Sequence, residues 1–205
     1  MFYRPKDGHG LPHDPFKALV VPRPIGWISS VDAEGRANLA PYSFFNGCGD
    51  NPPLVMFAQT GRKSREEAEK DSIANIRETG EFACNMVSAA LIDAMNTSSA
   101  RLGREVDEFS EAGLTKEECL EIRAPRVLEA PAALECRTVR ILDDLPAWQD
   151  HQRNIVVIGE VVGVHIAEEA LEDGRFRTES VNPVARLGYM DYTAVRDTFE
   201  LLRPG

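Results

Sequence analysis

Residues 22–46 read PRPIGWISSVDAEGRANLAPYSFFN and describe a β-hairpin. Pro22-Arg23-Pro24 imposes an extended entry, because proline locks φ and the residue before it avoids the helical region. Ile25 to Val31 mixes β-branched, aromatic and small hydroxyl residues, which suits a strand. Asp32-Ala33-Glu34-Gly35 supplies the reversal, with glycine where positive φ is needed. Arg36 to Phe45 returns as a second strand, and Pro41 within it predicts an edge position or a bulge. Ser29, Ser30, Asn38, Tyr42 and Ser43 place polar groups among apolar positions. Burying such groups unpaired is costly. They therefore either satisfy turns and strand ends or face a polar ligand, and the residues alone leave both open.

Working outward, residues 1–21 form an arm in which Phe16, Leu19, Val20 and Val21 are the expected anchors, ordered by packing that could cross a subunit boundary. Leu54 to Gln59 reads as an apolar strand buried on both faces. Gly61 to Asp71 is charged without apolar periodicity and reads as a solvated loop or exposed turn. Asp71 or Ser72 can cap a short helix that turns Ile73 and Ile76 inward and stops at Gly80. Glu81 to Val87 is a strand, and Ser88 caps a helix through Met95. Thr115 with Glu118 matches a capping box and predicts another short helix. Ala132 to Leu142 and Asn154 to Ile166 are long strands, the second bent at Gly159 and Gly163 as barrel closure requires. A terminal helix is expected near the end. The pattern is a mainly β domain, a barrel with a few short inserted helices, spanning 1–205 as one unit.

Composition narrows the function classes. A chain of 205 residues, 43% hydrophobic and 27% charged, can bury a sizeable core and is not disordered in character. A formal net charge of −10 argues against nucleic acid and anionic membranes as general partners. No apolar run reaches membrane-spanning length, and Met1 to Lys6 lacks the apolar segment of a signal peptide. Cys48, Cys84, Cys119 and Cys136 form no C-x-x-C pair, which favours reduced thiols in a cytoplasm. His9, His13, His151 and His165 show no metal-ligand spacing, so no metal is expected. No G-x-G-x-x-G follows a strand, so a separate dinucleotide domain is absent from the expectation.

An ordered set of segments resembles the flavin reductase-like family, whose FMN-binding fold is a split barrel and which includes the flavoredoxins. The set comprises Pro22-Arg23-Pro24-Ile25-Gly26-Trp27-Ile28-Ser29-Ser30, Asn38-Leu39-Ala40-Pro41-Tyr42-Ser43-Phe44-Phe45, Lys70-Asp71-Ser72-Ile73-Ala74-Asn75 and Thr79-Gly80-Glu81-Phe82. It continues with Asp107-Glu108-Phe109, Ala112-Gly113-Leu114 and Ala185-Arg186-Leu187-Gly188. The resemblance implies a Greek-key split β-barrel, a homodimer with flavin near the subunit interface, and FMN as cofactor, with NADH or NADPH as electron donor.

By the same resemblance, Lys70 and Ser72 fall on the family's Lys-Asp-Ser/Thr motif and are expected at the phosphate, with Arg62 and Asn75 beside them. Trp27, Ile28, Ser29 and Ser30 are expected to border the flavin, and Asn38, Pro41, Tyr42 and Ser43 to form the opposite wall. Arg186 and Tyr189 are candidates for its open side. Hydride transfer between aligned rings needs no obligatory acid or base, so no catalytic side chain is assigned. The implied function is an NAD(P)H-dependent flavin oxidoreductase handing electrons onward, to a monooxygenase or another redox protein. The alternatives are a flavoredoxin-like carrier reduced by a protein partner and a non-catalytic FMN-binding module.

Overall fold

The computed structural model describes residues 1–61, 69–148 and 153–204. Arg62, with Lys63 and Arg65, lies outside the described residues. Seven antiparallel strands form the main sheet: β1 (Gly26–Val31), β2 (Ala37–Tyr42), β3 (Phe45–Asp50), β4 (Pro53–Thr60), β5 (Glu81–Met86), β6 (Ala132–Leu142) and β7 (Asn154–Ile166). Their spatial order is β2-β1-β5-β6-β7-β4-β3.

That order explains the barrel. The edge strands β2 and β3 are consecutive in the chain, joined only by Ser43 and Phe44. In a flat sheet they would stand about 29 Å apart, six spacings of about 4.8 Å, whereas the connection reaches at most about 11 Å. The sheet must therefore curl until its edges meet, and the Ala58 amide, donating to the Phe44 carbonyl at 2.8 Å, carries the β4–β3 ladder into that connection. Register shifts between Ile158 and Gly159, and between Val161 and Gly163, supply the curvature. At Gly159 a Cβ would lie 2.4 Å from Phe82 Cζ, so only glycine lets this backbone approach the ring.

Ile28, Phe57, Phe82, Cys84, Cys136, Ile155 and Val157 fill the barrel, and helix α1 (Asp71–Thr79) adds Ile73 and Ile76 to that core. Gly80, at φ 73°, closes α1 with its amide on the Ile76 carbonyl, as the sequence predicts. A second core lies outside the barrel, where Trp27, Leu39, Val87, Met95 and Phe109 pack together. Strand β1 separates the two cores, so all six of its residues are buried and the half-buried alternation disappears. Burial, with Cys136 beside it, pushes the Cys84 thiol well above its ordinary value.

Four local expectations are corrected. Leu54 to Gln59 is buried on one face only: Val55, Phe57 and Gln59 point inward. Thr115 and Glu118 start no helix; Lys116–Glu117 pairs with Arg126–Val127 instead, and the Thr115 amide donates to Glu129. Among its described residues the C-terminal segment carries the short strand Tyr192–Ala194 and no helix. Phe16, Leu19, Val20 and Val21 are exposed rather than anchored on this chain, and the arm is tied instead by Arg23, which donates to the Lys17, Val20 and Leu187 carbonyls. Among the described residues no helix is long and apolar enough to cross a membrane.

Candidate functional site

A cleft of about 270 Å3 opens between β2, the start of α1 and the segment 98–102 that follows helix α2 (Ile92–Thr97). Asn38, Ala40 and Pro41 form one wall, Lys70, Asp71 and Ser72 the end, and Ser98 to Leu102 the other wall, with Thr60 and Glu108 at the margins.

Each side chain is held by a traceable cause. Gln59 is fully buried; its amide donates to the Gly61 carbonyl and its oxygen accepts from the Lys70 amide at 2.9 Å. It thereby fixes the two ends of the charged loop and sets Lys70 at the mouth of α1. The Lys70 ammonium lies 4.9 Å from the centre of the Tyr42 ring, and burial, with Arg101 adding to it, lowers its pKa from the ordinary value. Ser72 donates to Asn38 Oδ1 at 2.8 Å, and Asn38 donates to Glu108 Oε1 at 2.9 Å. Glu108 Oε2 accepts from the Leu39 amide. Burial raises the Glu108 pKa even though these donors, and Asn38 among them, oppose the rise. The opposite wall is pinned by Trp27, whose indole N–H donates to Ser98 Oγ at 2.9 Å, while Ser98 donates to the Met95 carbonyl. Arg101 is exposed and makes no hydrogen bond or ion pair among the described residues.

The structure brings Asn38, Pro41, Lys70 and Ser72 together in the cleft. The remaining expected residues stand behind it. Ile28 and Tyr42 belong to the barrel core. The Tyr42 ring packs tilted against Phe57, centroids 4.7 Å apart; its buried hydroxyl lacks a hydrogen bond of ordinary geometry, and burial raises its pKa. Trp27 is fully buried in the outer core. Ser29 donates to the Pro125 carbonyl, and Ser30 accepts from Asn75, whose oxygen takes a bond from Arg104. Asn75 thus braces α1 against β1. Ser43 lies in the two-residue seam. Arg186 contacts the Tyr192 hydroxyl and the Tyr189 carbonyl in the small sheet that includes Val184–Arg186, away from the cleft lining.

Sequence reading missed Gln59, Ser98, Ser99 and Arg101. Gln59 shows a signal in hindsight, a lone amide at an inward position of an apolar strand; the segment 98–102 has no periodicity to reveal it.

The donor set fits a phosphorylated cofactor. Lys70 and Arg101 offer cations, and the α1 N-terminus lines the same end of the cleft.

The family model for the flavin reductase like domain matches residues 18–191. An uncharacterized protein of Deinococcus radiodurans is 39% identical over 194 residues, covering 91% of this chain and 82% of its own length. The structure of nitrilotriacetate monooxygenase component B from Bacillus cereus is similar with a TM-score of 0.85 at 32% identity, covering 98% of this chain and 99% of that one. A Shewanella frigidimarina protein with a split barrel domain gives a TM-score of 0.77 at 26% identity, covering 93% and 90% of the two chains. The curled seven-stranded sheet is thus a split barrel, and the chain belongs to the flavin reductase like domain family.

Proposed function

We propose that this protein is an FMN-binding oxidoreductase that takes electrons from NADH or NADPH and passes them to a partner. The observation that carries the reading is the cleft in which Lys70 and Arg101 meet at the N-terminus of α1, in a chain of this family. Lys70, Arg101 and Ser72 hold the phosphate, with Asn38 and Asn75 fixing their positions through Ser72 and α1. Pro41 and Ser43 border the rest of the cofactor, Trp27, Ile28, Ser29 and Ser30 support that wall from behind, and the Tyr42 ring supports the Lys70 ammonium. Bound FMN would supply a two-electron acceptor for a nicotinamide hydride. The chain contributes alignment and a fixed electrostatic setting rather than an acid–base pair.

A cleft of about 270 Å3 lies just below the range for small-molecule sites, roughly 300–1,000 Å3. That supports a homodimer in which the second copy covers part of the cofactor. The likeness to a monooxygenase component supports a monooxygenase as the electron acceptor. The free cysteines support action in a reducing cytoplasm.

The test is the visible spectrum of the purified protein, followed by anaerobic addition of NADH or NADPH. A yellow protein that bleaches within seconds supports the reductase and names the donor. One that stays yellow points to a flavoredoxin-like carrier reduced by another protein. A colourless protein that also fails to take up added FMN overturns the cofactor assignment.

A further inference from the structure

On the outer face of the barrel, away from the cleft, three metal-ligating side chains of different chemistry converge. Cys119 comes from the excursion between Lys116–Glu117 and Arg126–Val127, Glu135 from β6 and His165 from β7. The Cys119 sulfur, a Glu135 carboxylate oxygen and a His165 ring nitrogen all lie within 4.8 Å of one another. Their separations of 16 and 30 residues hide the group from any spacing rule, and only the β6–β7 pairing assembles it.

We infer that Cys119, Glu135 and His165 form a binding site for a divalent transition-metal cation, zinc being the ion this donor set suits. Thiolate, imidazole and carboxylate are the three ligand types that zinc accepts, and three protein ligands with a water in the fourth position is a recurring arrangement. The Glu135 side chain is 1% exposed, and its oxygens accept the Leu120 amide at 2.8 Å and the Glu121 amide at 2.6 Å. Those bonds hold the carboxylate in place, as groups surrounding a metal ligand do. They also seat the loop carrying Cys119 directly beside it. His165 is 21% exposed on its side chain and Cys119 is half-buried, which leaves a path for an ion and room for a water. His165 Nε2 and Glu135 Oε1 stand 2.5 Å apart, sharing a hydrogen bond. An ion entering the group replaces that bond: the Cys119 thiol proton leaves to solvent, and the proton between His165 Nε2 and Glu135 is given up as His165 takes the neutral tautomer protonated at Nδ1. Thiolate and carboxylate together then balance the two positive charges, with no change of oxidation state. The ion would clip the excursion between β5 and β6 to the barrel wall.

The experiment loads the full-length protein with zinc alone, buffered by a chelator from about nanomolar to micromolar free ion, and measures bound metal and its X-ray absorption. One equivalent is expected per chain, with one sulfur at about 2.3 Å and nitrogen or oxygen at about 2.0–2.1 Å. Cys119→Ser and His165→Gln should each weaken binding by at least about tenfold, the loss typical of changes just outside a ligand sphere. Cys48→Ser, which removes an exposed thiol, should bind like the wild type. Zinc without a sulfur neighbour, retention undiminished in Cys119→Ser, or no stoichiometric binding at micromolar free zinc would each overturn the inference. The absorption measurement needs only the wild type, so a variant that fails to fold does not remove the test. Flavin content plays no part in the readout.

Discussion

Replacing Lys70 by alanine should weaken FMN binding by about 10- to 150-fold while leaving riboflavin binding nearly unchanged. The range follows from a hydrogen bond to a charged group, about 1.5–3 kcal/mol, at about 1.4 kcal/mol per tenfold. Lys70 suits that range because its amide is fixed by Gln59 and its ammonium is partly desolvated over Tyr42. Riboflavin lacks the phosphate, so it senses the ring pocket alone. The assay is quenching of flavin fluorescence, titrating each flavin against wild type, Lys70→Ala and Lys70→Met. The methionine variant keeps an apolar stem over Tyr42 and removes the charge, so a similar loss in both variants assigns the effect to charge. Arg101→Ala should add a further loss for FMN only. Unchanged FMN affinity, or an equal fall for riboflavin, would refute the placement of phosphate at Lys70.

Three further outcomes test the fold. Gly159→Ala should cost about 1–3 kcal/mol by overpacking against Phe82, and Gly159→Ala with Phe82→Leu should lose less than the sum of the single changes, read from urea midpoints. Trp27→Phe removes the indole donor to Ser98 and should destabilise by about 1 kcal/mol in the same assay, with a modest loss of FMN affinity as segment 98–102 loosens. Burial opposes ionisation of Asp32, but its hydrogen bonds from Arg36 and the charges of Arg36 and Arg104 outweigh it and hold the carboxyl below 3.8. A depressed folded value means that this stabilisation is complete above the unfolded value and is lost as pH falls through the folded one. Asp32→Asn should therefore be less stable at pH 7 and should lack that step below pH 3.8 in midpoints followed from pH 7 to 2.

What the sequence revealed tracked how local the causes are. The hairpin of β1 and β2, α1 with its Gly80 stop, and the glycine-bent β7 were legible because turn chemistry and periodicity act within a few residues. The capping-box signal at Thr115 failed because pairing with Arg126–Val127 and the Glu129 carboxylate satisfied the same backbone groups differently. Lys70, Ser72, Asn38 and Pro41 reached the cleft through motif resemblance. Trp27, Ser29, Ser30 and Tyr42 are expected at the cofactor through the same resemblance. In the structure their side chains hold β1 and the barrel together, since a strand between two cores has no free face. Arg101 was invisible because only the fold of 98–102 carries it to Lys70.

The charges of the cleft make sense only when sorted by what already holds them. With two cations and two carboxylates lining it, the cleft is formally balanced, in a chain of net charge −10. Glu108, however, already accepts from Asn38 and Leu39, so its charge is turned into the wall. Lys70 and Arg101 are oppositely placed in this respect: one sits partly desolvated over a ring, and the other has no partner among the described residues. Their mutual repulsion depresses the Lys70 pKa beyond what burial does alone. Bringing two cations together costs stability, and a phosphate dianion would relieve that cost at both groups at once. Because the effect acts over a few ångströms, well inside a Debye length of about 8 Å at physiological salt, the acidic surface beyond does not cancel it. An acidic protein can thus bind an anionic cofactor where a carboxylate such as Glu108 is held in the wall and the cations are not.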